Sequence, residues 1–273
     1  MSRQRREVRR KRAQRSWGSW RTIAVAAAIA IAAPAAAFAA WLFFAGSGGS
    51  EERSGPPKAV IVDQLSLTAP NPEFGTQARQ MLERAGYVVD YVPGEQVTVD
   101  YYRNLPSSGY ELVLMRAHAA GRDFAAEEYG EDVSIFTSER VSADKYIEEQ
   151  QARLLKGVFF SERDMEEGRL YFGIPPDFVQ YRMRGEFDGA TVVLMGCDVL
   201  RAQAMAKAFV ERGAGAVVGW DKAVTASHTD AATLSLLRHM LDDGLSAEKA
   251  AEAAMAEVGP DPVYDAKFLS YSP

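Results

Sequence analysis

Short apolar runs recur along the chain, separated by longer stretches with helical periodicity. Residues 58–63 (KAVIVD), 87–92 (YVVDYV), 192–195 (VVLM) and 214–220 (AGAVVGW) are brief, apolar and rich in Val, which predicts buried strands. Between the first two, residues 71–86 place Ala78, Met81, Leu82 and Ala85 at helical spacing and stop at Gly86, as an amphipathic helix does. Residues 99–105 predict a short helix. Residues 111–121 (ELVLMRAHAAG) predict another strand that runs into a loop of small residues. After Trp220, residues 227–230 (SHTD) have the form of an N-cap box, and Leu234, Leu237 and Leu241 carry an apolar face to Gly244. Ser246 opens a last helix that ends at Gly259-Pro260, and the aromatic tail 261–273 is expected to pack back on the domain. Strands alternating with helices predict an α/β domain built on a mostly parallel sheet with helices on both faces. The chain has no internal repeat.

The section 122–189 breaks this rhythm. It is rich in acids, with a small strand expected at 133–137, a helix at 143–155, a strand pair at 158–160 and 170–172, and a short helix at 177–183 after Pro175-Pro176. Two readings of this insertion stand: it shapes a specificity pocket, or it is a peripheral flap with no contact to substrate.

The first 57 residues have another character. Residues 1–21 hold nine Lys or Arg and one acid, Glu7, and residues 22–45 follow without a charge. At about 1.5 Å per residue such a helix outspans a hydrocarbon core of ~30 Å. Trp17, Trp20 and Trp41 suit the interfacial belts. A cleaved signal peptide is the competing reading, since Ala37-Phe38-Ala39 fits a cleavage site. The apolar run continues past it through Phe44, which favours an uncleaved transmembrane anchor. The basic flank then stays in the cytoplasm and the remainder is exported, a single-pass arrangement at the cell membrane. Residues 46–57 (GSGGSEERSGPP) read as a flexible linker, and 58–273 as the folded domain.

Charge and cysteine content narrow the function. Without the basic run, 22 Lys and Arg face 36 Asp and Glu, a net charge of −14 where the whole chain is −6. An acidic domain is a poor partner for nucleic acid. No paired-Cys or His-x3-His spacing points to a metal, and neither G-x-G-x-x-G nor G-x4-G-K-[ST] occurs, so no cofactor is expected. Cys197 is the single cysteine, and a lone thiol in an exported domain draws interest as chemistry.

Cys197 stands where an apolar strand hands over to a polar stretch, and His118 stands at the end of another such strand. Ligands and reactive groups gather at this carboxyl edge of open α/β sheets. A thiol there, near the start of a following helix, tends toward thiolate. Neighbouring parallel strands would bring thiol and imidazole to one rim as nucleophile and base. His228 and His239 are better read as capping or surface groups.

An apolar strand ending in His118 and a later one ending in Gly196-Cys197, followed by Arg212-Gly213-Ala214, a strand ending in Gly219-Trp220 and then Asp230, resembles the caspase-like cysteine peptidases. That group spans caspases, gingipains, clostripain, separase and the CHAT-domain proteases. The likeness covers residues 58–273 in outline and rests mainly on 111–121 and 190–240. Met195-Gly196 and Ala119 depart from the caspase pattern, so aspartate specificity is not implied. The resemblance implies a Cys197/His118 dyad hydrolysing a peptide or protein substrate without metal or cofactor. It further implies that the amides near Ala119 and Cys197 serve as oxyanion donors. In gingipain- and clostripain-like relatives an acid receives a basic substrate side chain, a role open here to Asp198, Glu139 or Asp221. Arg116 could instead meet an acidic substrate group or pair with an acid of the domain. A catalytically silent binding domain of the same fold is the principal alternative; a small-molecule-binding α/β domain is a third. Oligomeric state is not legible.

Overall fold

The computed structural model describes residues 55–123 and 128–273. The compact unit begins at Pro56. The expected transmembrane helix at 22–45, the basic segment before it and most of the linker lie outside the described residues. Among the described residues no helix is long and apolar enough to cross a membrane.

In chain order the elements open with β1 (Lys58–Asp63), α1 (Pro72–Arg84), β2 (Val88–Pro93), α2 (Val99–Asn104), β3 (Leu112–Arg116), β4 (Ala119–Asp123) and β5 (Glu128–Arg140). Then come α3 (Ile147–Gln151), β6 (Lys156–Val158), α4 (Glu162–Glu166), β7 (Tyr171–Ile174) and α5 (Pro176–Arg182). The chain closes with β8 (Thr191–Leu194), α6 (Ala204–Glu211), β9 (Ala216–Trp220), α7 (Ala226–Leu241), α8 (Ala247–Val258) and β10 (Phe268–Tyr271). Six strands form the main sheet in the order β10-β9-β8-β3-β1-β2. All pairings are parallel except β10 on β9. The tail thus packs back by adding an antiparallel edge strand.

The apolar runs become central strands because both of their faces are covered. Alternate residues Val60, Val62, Val113, Met115, Val192 and Leu194 join one core with α2, α5 and α6. The intervening Ala59, Ile61, Leu112, Leu114, Val193 and Met195 join the other, with α1, α7 and α8. In α1 the buried stripe is Phe74, Ala78 and Leu82, one turn toward the N-terminus of the expected one, and Ala85 is exposed. Asn71 caps this helix by accepting from the amide of Phe74, and Gly86 turns the chain at φ +92°.

The insertion forms its own four-stranded sheet, β4-β5-β7-β6, antiparallel throughout. Its inner side chains, among them Ile135, Phe172 and Ile174, belong to the first core. The insertion therefore buries part of the main domain. The expected helix at 143–155 is reduced to Ile147–Gln151, and the pair at 158–160 and 170–172 is realised as β6 and β7 with α4 between them.

Two further differences bear on function. The run 111–121 is not one strand. It breaks at Ala117-His118 and passes from the main sheet to the second, so His118 occupies the joint. The N-cap box at 227–230 is not used. Helix α7 starts earlier, after Thr225, and Asp230 turns inward from its first turns.

Candidate active site

Strands β3 and β8 are direct parallel neighbours, with Met115 opposite Leu194, so their carboxyl ends emerge side by side. The chain beyond them stays in contact. A Cβ on Gly196 would lie 2.6 Å from the carbonyl oxygen of Ala117, 2.8 Å from Cβ of Ala119 and 3.2 Å from the amide nitrogen of Ala119. Only glycine allows this approach. The segments carrying His118 and Cys197 therefore abut, with the two amides expected as oxyanion donors on adjoining backbone.

The side chains nonetheless have separate partners. His118 Nε2 lies 2.9 Å from Thr68 Oγ1, and its amide donates to Gln64 Oε1 at 3.0 Å. The ring rests against Phe136 and Phe160, with centroids 5.8 and 6.2 Å away. Burial, and after it the nearby Arg116 charge, push the imidazole down to about 4. It is neutral at pH 7 and able to accept a proton.

That depression predicts a pH dependence of stability. The unfolded chain binds the proton near pH 6.5, whereas the folded imidazole binds it only near 4. Between these values the unfolded state holds more protons, so stability falls as pH falls. After allowance for partial exposure, the His118 share is on the order of 2 kcal/mol. Denaturant midpoints from pH 7 to 4 should fall less steeply in His118→Phe, which keeps the ring stacking. Parallel profiles would refute the assignment.

Cys197 is partly buried, with its sulfur against the second core. The amide of Val224 lies 3.4 Å from Sγ and the carbonyl of Val224 at 3.7 Å. The helix that follows Cys197 in sequence begins only at Ala204, so it cannot polarise the thiol as expected. The helix start that approaches the sulfur is that of α7, whose N-cap Thr225 adjoins Val224. Burial pushes the thiol up. The Val224 amide opposes this, and the charges of Asp198 and Asp261 add to the rise. Cys197 is thus a thiol at neutral pH, and no hydrogen bond joins it to His118 among the described residues.

The acids and Arg116 are spread around this rim. Asp198 adjoins Cys197 with φ +59°, and its carboxylate is 3.9 Å from Arg201. Asp221 accepts from the amide of Lys267, tying the β9 exit to the tail. Glu139 belongs to the second sheet, where Val99 N, Lys145 and Tyr146 bind its carboxylate. Arg116 is 1 % exposed and pairs with two acids of the domain. Its guanidinium donates to Asp63 at 2.8 Å, to both oxygens of Asp230 at 2.7 and 2.9 Å, and to Ala69 O at 2.8 Å. Tyr91 donates to Asp63 and Asn71 to Asp230, completing a buried network under the β1 and β3 ends. So engaged, Arg116 does not face a substrate. Among the described residues no group of three or more His, Cys, Asp or Glu is arranged to hold a metal ion.

Gln64, Thr68, Val224 and Asp261 are site neighbours that the sequence did not single out. Gln64 and Thr68 follow the first strand closely, so a polar residue at a strand's carboxyl end was the available signal. Val224 and Asp261 offered none, because one acts through its main chain and the other from a distant loop. No protein-family model matches the chain, and no curated protein is significantly similar to it.

Proposed function

We propose that the domain is a cysteine endopeptidase, held at the outer face of the cell membrane by residues 22–45. The observation that carries the reading is the close approach of Gly196 to Ala117 and Ala119, which puts the His118 and Cys197 segments side by side at one sheet edge. With the imidazole neutral and the thiol protonated, deprotonation must accompany attack instead of preceding it. His118 takes the Cys197 proton as Sγ bonds to the scissile carbonyl carbon. The proton passes to the leaving amine as the C–N bond breaks, leaving a thioester. Water, deprotonated by the same imidazole, cleaves the thioester and restores the thiol. Apo contacts of this kind are often loose and tighten on substrate binding.

The test is hydrolysis of a mixed peptide library by membranes carrying the full chain, read by mass spectrometry. Cys197→Ala and His118→Ala should each lower turnover at least about a hundredfold. Undiminished cleavage by the folded Cys197→Ala protein would end the proposal. The chain should also remain with the membranes after an alkaline wash; its release would remove the anchor from the reading.

A second reading is favoured by one observation: sulfur and imidazole are each occupied, by Val224 and Thr68. On that reading the domain binds a peptide without turning it over. Absence of cleavage by the native chain, with Cys197 alkylation indifferent to His118→Ala, would select it.

A further inference from the structure

Asp261 is 1 % exposed, although it lies in the loop that follows α8. Its carboxylate organises two segments at once. Oδ2 accepts from the amide of Thr225 at 3.0 Å and from the Thr225 hydroxyl at 2.8 Å. Oδ1 accepts from the amides of Val263 and Tyr264, each at 2.9 Å. Thr225 is the N-cap of α7, yet its own side chain does not cap that helix. The hydroxyl is committed to Asp261 instead. The residue before it, Val224, meets the sulfur of Cys197 with both its main-chain groups: its amide donates to Sγ and its carbonyl accepts from the thiol. A buried acid thus reaches the thiol through two consecutive residues, Thr225 and Val224.

The remainder of the loop is tied to the same place. The amide of Asp198 donates to Lys222 O, and Lys222 Nζ reaches Asp265. The segment 221–225 is consequently fixed to the Cys197 strand exit, to Asp265, to Lys267 and to Asp261.

We propose that Asp261 is a positioning residue for Cys197, setting the Val224 peptide against the sulfur by anchoring Thr225. The proposal rests on the peptidase reading only for the purpose of that positioning. The contact itself is measurable whether or not the domain hydrolyses anything.

Two effects of Asp261 on the thiol oppose each other, which makes the proposal testable. As a negative charge it disfavours thiolate; as the anchor of Val224 it keeps an N–H donor on the sulfur, which favours thiolate. The Val224 hydrogen bond is the stronger of the two influences. Asp198, on the thiol's own segment, is the other charge that acts on it; His118 stands on the abutting segment, and Lys222 pairs with Asp265 on the neighbouring loop and tail. His228, on α7, is held by Gly259 O.

The experiment is alkylation of the full chain by iodoacetamide as a function of pH. Cys197 is the single cysteine, so the label reports it alone. In Asp261→Asn the midpoint of reactivity should rise by about half a pH unit, with alkylation near pH 8 about threefold slower. A fall in midpoint would mean that Asp261 acts as a charge alone, and an unmoved midpoint in a folded variant would mean that it only stabilises the loop. Either result overturns the proposal. Should Asp261→Asn fail to fold, Thr225→Val removes one bond and keeps the charge. Its midpoint should also rise, and an unchanged one overturns the proposal. Peptidase failure of the native chain, with these shifts intact, would sink the enzymatic reading and leave the positioning role standing.

Discussion

Replacing Arg116 with Met is expected to cost the fold about 3–5 kcal/mol at neutral pH. The guanidinium is enclosed, and it is the cation that Asp63 and Asp230 share, both themselves nearly inaccessible. Removing it leaves two carboxylates out of water, with Tyr91 and Asn71 as their side-chain donors among the described residues. Denaturant melts of the native and variant proteins at pH 7 check this. The triple replacement Arg116→Met, Asp63→Asn, Asp230→Asn should recover much of the loss, since an uncharged set no longer strands a buried charge. A single variant within about 0.5 kcal/mol of native, against the usual range for surface substitutions, would show that the network is not what holds β1, β3 and α7 together.

Gly196→Ala is the second large effect expected. The added methyl would sit 2.6 Å from a main-chain oxygen and 2.8 Å from a methyl on the neighbouring segment, both well inside contact distance. Main chain cannot rotate away as a long side chain can, so the β3 and β8 exits must separate. Overpacking of this kind costs typically about 1–3 kcal/mol. The damage should also be local to function. Stability can be restored by an osmolyte that strengthens effective burial. If the peptidase proposal holds, turnover should not return with it, because the strand ends remain apart. Native stability and native turnover in Gly196→Ala would mean that the two segments do not meet as described.

Much of the architecture can be read without coordinates, and the reason lies in burial. Val60, Ile61 and Val62, or Val192, Val193 and Leu194, are enclosed on both faces of the sheet, so every position must be apolar and the strands appear as unbroken runs. Helices that cover only one side keep their period, as Phe74, Ala78 and Leu82 do in α1. The expectation that His118 and Cys197 both lie at carboxyl ends followed from the same runs. Their adjacency did not, because it depends on β3 pairing with β8 across an insertion.

Other features were hidden for identifiable reasons. The run 111–121 looks continuous because Ala117 and Ala119 are small and apolar on either side of the joint; the change of sheet is made by pairing partners, which composition does not record. Asp230 looks like a capping residue by spacing, yet Arg116, 114 positions away, draws it inward. The thiol was expected to be favoured as thiolate by the helix after it, but turns intervene and a different helix start arrives through Val224.

The sequence by itself determined an α/β chain with apolar strands, helices on both faces and one cysteine and one histidine at strand ends, because period and burial are local properties of a run of residues. Only the tertiary structure decided which strand ends meet, which acids Arg116 consumes and what holds the sulfur. Those outcomes depend on main-chain contacts and buried charge pairs between segments far apart in the chain, where neither spacing nor composition leaves a mark.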